Sequence, residues 1–217
     1  MIHVIWDLDG TLINSENEVL QALISAVRKS GLSESDQIKP FRVGPTVDEI
    51  LEYSLPKSIL TDIKKTEIVK NFRDLYDNCG FNNTTCFSGI EKILNDKRFL
   101  HHIITNKPDL ATKRILRKLG WDNNFATVIT PYSFMKSSED KRKTKTELFK
   151  ICMQNYPNEA FVGIGDMETD AKAAKENNIP SIGVLWGTGT KSELKDAACS
   201  YIAESVEELH SYLEKLL

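Results

Sequence analysis

Apolar residues along the chain fall into short β-branched runs separated by stretches of helical spacing. The first run, Ile2-His3-Val4-Ile5-Trp6, leads straight into the turn sequence Asp7-Leu8-Asp9-Gly10, so a strand ending near Asp7 is predicted. Similar runs recur at 102–105, 126–130, 160–164 and 181–185. Between them the period changes. The stretch 110–119 carries Ala111, Ile115, Leu116 and Leu119 with Lys and Arg between, and 147–156 and 168–177 follow the same rule. Strands alternating with helices of about ten residues predict βαβ units and a parallel sheet covered on both faces, the doubly wound α/β class. Ser205 followed by Glu208 predicts a capping box that opens a last helix running to Leu217.

The stretch 15–82 is patterned differently. Val19, Leu20, Leu23, Ile24 and Val27 keep helical spacing until Gly31 stops it. A loop at 40–45 precedes two more helical stretches, 47–55 and 59–76, and no strand pattern interrupts them. The predicted division is a core of 1–13 and 83–217 carrying a small α-helical insertion, 14–82, as a cap.

Composition narrows the classes. Hydrophobic residues are 41% and charged residues 27% of the chain, a globular balance that argues against disorder or fibre. Lys and Arg number 28 against 31 Asp and Glu, and a net charge of -3 lacks the field that draws nucleic acid or an anionic membrane. No apolar run approaches the roughly 18 residues that span a bilayer. Met1–Trp6 has no basic segment and Asp7 follows at once, so no signal peptide is expected. Cys79, Cys86, Cys152 and Cys199 form no Cys-x-x-Cys pair, and free thiols in the reducing cytoplasm are expected, with a Cys79–Cys86 disulfide as the alternative. His101 and His102 have no evident metal partner and are read as strand-edge residues.

The chemistry concentrates at strand ends. Asp7 and Asp9 stand two residues apart after the first strand, where ligands collect in open α/β sheets. Both carboxylates can meet one cation there. Gly10 permits a tight turn, and Thr11 offers a hydroxyl and an amide. Further on, Thr105 closes the run Ile103-Ile104, and Gly165-Asp166 and Asp170 follow the run that begins at Ala160. Lys141, Lys143 and Lys145 precede a helix.

Asp-x-Asp-Gly-Thr, a later strand-end Thr, a lysine before a helix and Gly-Asp-x-x-x-Asp, in that order, resemble the haloacid dehalogenase superfamily over nearly the whole chain. Relatives read Lys-Pro-x-Pro-x-x-Phe at the lysine, and Lys143 to Phe149 fits that frame with Thr for both prolines. Lys143 is therefore preferred, with Lys141 next. The resemblance implies a Mg²⁺-dependent phosphatase working through an aspartyl-phosphate. Asp7 is then the nucleophile and Asp9 the general acid and base. Thr105 and Lys143 are the other catalytic groups. The implied metal ligands are Asp7, the Asp9 carbonyl and Asp166, with Asp170 supporting them. Gly10, Thr11 and Asn106 are expected to bind phosphate.

Arg42-Val43-Gly44-Pro45 and Thr105-Asn106-Lys107-Pro108 resemble members like phosphoglycolate phosphatase, whose helical cap is of the C1 type and closes over the site. Arg42 is then the partner of a second anionic group. The favoured substrate is a small phosphorylated acid. Sugar-phosphate or pyrophosphate hydrolysis, phosphomutase, phosphonatase and a non-catalytic binding module are the alternatives. The expected partner is a small phosphorylated metabolite, with no nucleic acid or membrane, and the chain is expected as a monomer or homodimer.

Overall fold

All five apolar runs become strands of one parallel sheet. The computed structural model describes residues 1–33, 39–41, 43–134 and 141–217. In chain order the elements are β1 (Ile2–Trp6), β2 (Ile13–Asn14), α1 (Glu16–Lys29), α2 (Val47–Ser54), α3 (Asp62–Tyr76), β3 (Thr85–Cys86), α4 (Ile90–Leu94), β4 (Phe99–Ile104), α5 (Asp109–Lys118), β5 (Thr127–Ile129), α6 (Lys145–Gln154), β6 (Ala160–Gly165), α7 (Glu168–Glu176), β7 (Ser181–Val184), α8 (Lys191–Asp196), β8 (Tyr201–Ala203) and α9 (Val206–Glu214).

The sheet order is β5-β4-β1-β6-β7-β8, every pair parallel. This is a doubly wound α/β core whose strand order reverses at β1. Trp6 pairs with Ile103 on one side and Ile164 on the other. The carboxyl ends of β1, β4 and β6 are thus level, and the residues just beyond them gather at the switch point, where open α/β sheets bind ligands. Ile5, Ile104 and Ile129 pack with Leu148, Phe149 and Cys152 of α6 and with Ala173 and Ala174 of α7. A side chain at Gly163 would bring its Cβ to 2.9 Å from the Phe149 ring, so glycine there lets α6 lie close on the sheet.

The chain divides into two compact units, Met1–Asn14 with Thr85–Leu217, and Ser15–Thr84. The second unit is helical. Val19, Leu23, Ala26 and Val27 of α1 are buried, as are Ile68, Phe72 and Tyr76 of α3, consistent with apolar faces set at helical spacing. Thr61 caps α3 by accepting from the Lys64 amide, so that helix starts at Asp62 rather than at 59. Within the first unit, β2 and β3 pair antiparallel, Ile13 with Cys86 and Asn14 with Thr85.

Several details correct the sequence reading. The short elements α4, α8 and β8 were not expected. The Ser205 hydroxyl accepts from the Glu208 amide, but the Glu208 carboxylate turns to the Glu204 amide and the Tyr201 hydroxyl, so the capping box is only half formed. His101 and His102 lie within β4 and are buried, not at a strand edge. All four cysteines are free thiols. Among the described residues no helix is long and apolar enough to cross a membrane.

Candidate active site

Asp7 follows β1 directly, and its amide donates to the Ile164 carbonyl of β6, which fixes the backbone at the carboxyl end of the central strands. The next turn is tight. Gly10 has φ +78°, and any side chain there would collide with the Asp166 carboxylate. The Gly10 amide donates to the Ile13 carbonyl at 2.9 Å and the Thr11 amide to the Leu8 carbonyl at 3.4 Å. Both amides thus close the loop on itself. The Thr11 hydroxyl is also engaged, donating to Asp166 Oδ1 at 3.3 Å.

Asp166 and Asp170 follow β6, the second on the first turn of α7. Oxygens of Asp7, Asp166 and Asp170, all buried, lie within 4.8 Å of one another. Asp166 is held from a third direction by Thr188, whose amide and hydroxyl donate to Oδ2 at 2.8 and 3.1 Å. Thr188 lies in the Gly187–Gly189 loop after β7 and has no motif to announce it. Asp170 Oδ2 accepts from the Met167 amide at 3.2 Å.

The lysine at this cluster is Lys145. Its Nζ lies 2.9 Å from Asp7 Oδ1 and 2.5 Å from Asp170 Oδ1, with 7% of the side chain exposed. Lys143, preferred from the sequence frame, is half-buried beside Glu147, and Lys141 is exposed. The reason is the helix start. Thr144 is the N-cap of α6 in a full capping box with Glu147, so Lys145 is the first helical residue and shares a face with Leu148, Phe149 and Cys152. Lys143 precedes the cap and cannot share that face. The 145, 148, 149, 152 spacing was available in the sequence as the signal for Lys145.

Thr105 follows β4 and is buried; its hydroxyl oxygen accepts from the Lys107 amide at 3.1 Å. Lys107 was also missed as a site residue, and its Nζ lies 3.0 Å from Asp9 Oδ1. Asn106 is half-buried in the same turn. Arg42 lies outside the described residues.

Electrostatics follow from burial. Desolvation pushes the Asp7 carboxyl up to about 7; Lys145 opposes this, while Asp170 and Asp9 add to it. Asp166 is pushed up to about 6 by burial and by Asp7, against the Thr188 hydrogen bonds. Asp170 is raised too, chiefly by burial. For Lys145 burial favours the neutral amine, but Asp170 and Asp7 outweigh it and hold the ammonium above its ordinary range. Four carboxylates, Asp7, Asp9, Asp166 and Asp170, face two ammoniums, Lys107 and Lys145. When all are ionised two negative charges remain. A hard divalent cation with oxygen ligands fits both that donor set and that charge.

A model of haloacid dehalogenase-like hydrolases matches residues 4–184, and the chain belongs to that family. Among particular proteins, a 5′-nucleotidase of Pseudomonas aeruginosa is 23% identical, over 98% of this chain and 95% of its own. A phosphoglycolate phosphatase of Aquifex aeolicus is 25% identical over 97% of each. The crystal structure of a predicted phosphatase from Clostridium acetobutylicum superposes with a TM-score of 0.80 at 28% identity, over 98% of each chain.

Proposed function

We propose that this hydrolase is a phosphoric monoesterase that passes the phosphoryl group of a small ester first to Asp7 and then to water, with Mg²⁺ as cofactor. The observation that carries the reading is the buried cluster in which Lys145 bridges Asp7 and Asp170 while Asp166 closes the carboxylate set. An Asp7 oxygen attacks phosphorus, and the ester P–O bond breaks as Asp9 gives its proton to the leaving oxygen. Asp9 then takes a proton from water, whose oxygen attacks phosphorus and releases phosphate from Asp7.

Lys145 neutralises Asp7 and the incoming phosphoryl group, the role first expected of Lys143. Thr105 uses an oxygen lone pair on the Lys107 amide, which leaves its hydroxyl hydrogen for a phosphate oxygen. Asp7, Asp166 and the Asp9 carbonyl would hold Mg²⁺, with Asp170 anchoring Lys145. When bound, the cation supplies positive charge against the phosphate oxygens.

A small phosphorylated acid is the favoured substrate, supported by the phosphoglycolate phosphatase among the relatives. The 5′-nucleotidase relative favours nucleoside monophosphates as the second class. The free cysteines support a reducing, cytoplasmic setting.

The test is phosphate release from phosphoglycolate, sugar phosphates, pyrophosphate and nucleoside monophosphates, with Mg²⁺ and with chelator. Release is expected from wild type with Mg²⁺, and none from Asp7→Asn. Release that survives in Asp7→Asn overturns the nucleophile, and a silent wild type overturns the phosphatase.

A further inference from the structure

Lys107 is a buried cation outside the motifs that define the cluster. Its side chain is 4% exposed, and its Nζ sits 3.0 Å from Asp9 Oδ1, itself on a side chain 14% exposed. Burying an ammonium is costly unless a counter-charge and good geometry repay it. Its backbone is held at both ends. The Lys107 amide donates to Thr105 Oγ1 at 3.1 Å, and the Thr112 hydroxyl on α5 donates to the Lys107 carbonyl at 3.4 Å. A fixed stem thus delivers the charge to Asp9. Lys145 meets a different pair of carboxylates, Asp7 and Asp170. The two buried lysines therefore serve different carboxylates, one the nucleophile and the other the proton carrier.

We propose that Lys107 is a positioning residue, whose ammonium holds the Asp9 carboxyl where it meets the leaving-group oxygen. This inference rests on the phosphatase reading above. Lys107 then governs proton transfer to the leaving group and contributes little to phosphoryl transfer itself. Its effect depends on the ester. An alkoxide must be protonated as it leaves, whereas p-nitrophenolate departs without a proton.

The experiment compares kcat/KM, which reports only the steps up to transfer onto Asp7, for p-nitrophenyl phosphate and phosphoglycolate with Mg²⁺ present. Lys107→Met, which keeps an unbranched stem, should lower the value for phosphoglycolate by about 100-fold and for the aryl ester by about 3-fold or less. Equal losses on both esters overturn the proposal, because a structural or phosphate-binding lysine serves both alike.

Asp9→Asn and the double variant Asp9→Asn with Lys107→Met supply a second comparison, in which no buried carboxylate is left without its cation. The ratio of the two esters' kcat/KM should be the same in both. A further fall in that ratio on removing Lys107 overturns the action through Asp9. A wild type silent on both esters removes the phosphatase reading and this inference with it, whereas an active wild type with equal losses removes the inference alone.

Discussion

Two lysines two residues apart, Lys143 and Lys145, differ entirely in consequence. Lys145→Met should lower kcat/KM by about 10²–10³-fold, the size seen when one preorganised group that stabilises transition-state charge is lost. Lys143→Met should stay within about 3-fold of wild type, since Lys143 precedes the helix cap and its charge lies beside Glu147 rather than at the buried carboxylates. Steady-state kinetics on any accepted ester checks both. The carboxylates were legible in the sequence because their chemistry demands short, fixed spacings at strand ends. Lys145 was obscured by matching a frame of identities in place of tracing which face of the helix is buried. Lys107 stood inside a run that carried the resemblance, but its pairing with Asp9 was not legible, and Thr188 was not legible at all. Each acts through a partner far away in sequence, Asp9 for one and Asp166 for the other, and only the folded sheet brings those loops together.

At the level of elements, the N-terminus of α6 is where stability and chemistry meet. Thr144→Ala removes the hydroxyl that accepts the Glu147 amide and should cost about 1 kcal/mol of unfolding free energy, read by urea unfolding as a lower midpoint at unchanged slope. The strands β1 and β4 carry a second, less expected device. His3 Nδ1 lies 3.0 Å from His102 Nε2, and Trp6 Nε1 donates to His101 Nδ1 at 3.0 Å, a bond that needs a neutral ring nitrogen there. Burial pushes His101 and His102 down to about 4, against the Ile93 carbonyl and Asp96 for His101 and with His3 and His101 adding for His102.

The unfolded chain takes up protons first, near the ordinary histidine value of about 6.5. Stability from these residues is therefore complete above that pH and is lost as pH falls from there toward 4. The loss is at most about 1.4 kcal/mol per pH unit for each histidine. The carboxyls of Asp7 and Asp166, raised to about 7 and about 6, gain stability over the same fall in pH. The histidine share is therefore read by comparison: between pH 7.5 and 5 the denaturant midpoint of wild type should fall further, or rise less, than that of His102→Phe. Nothing in the sequence pattern marked these imidazoles as core. The short elements β8 and α8 escaped for another reason: three and six residues are too few for a period to register.

At the level of the whole molecule, every described residue of the cluster belongs to the unit formed by Met1–Asn14 and Thr85–Leu217. Asn14 and Thr85 are direct antiparallel partners, so the ends of the insertion meet across one strand pair. Replacing residues 15–84 by an Asn-Gly turn should convert β2 and β3 into a hairpin and leave the sheet intact. The shortened chain is expected to unfold in one cooperative transition and to gain thermal stability from Mg²⁺. A broad, non-cooperative melt would show that the α/β unit needs the helical one.

The central position of β1 also sets an order of events during synthesis. Its two neighbours, β4 and β6, are encoded far downstream, so the run Ile2–Trp6 leaves the ribosome without a pairing partner. At roughly 5–20 residues per second, β4 is complete on the order of 5–20 seconds later. The helices α1 to α3 and the short α4 are among the described elements made in that interval, and α1 to α3 form the helical unit without any later segment. The nascent chain therefore carries a finished helical unit and an orphan apolar strand together. That strand is an apolar segment a holding chaperone could cover, and slower translation would lengthen its exposure.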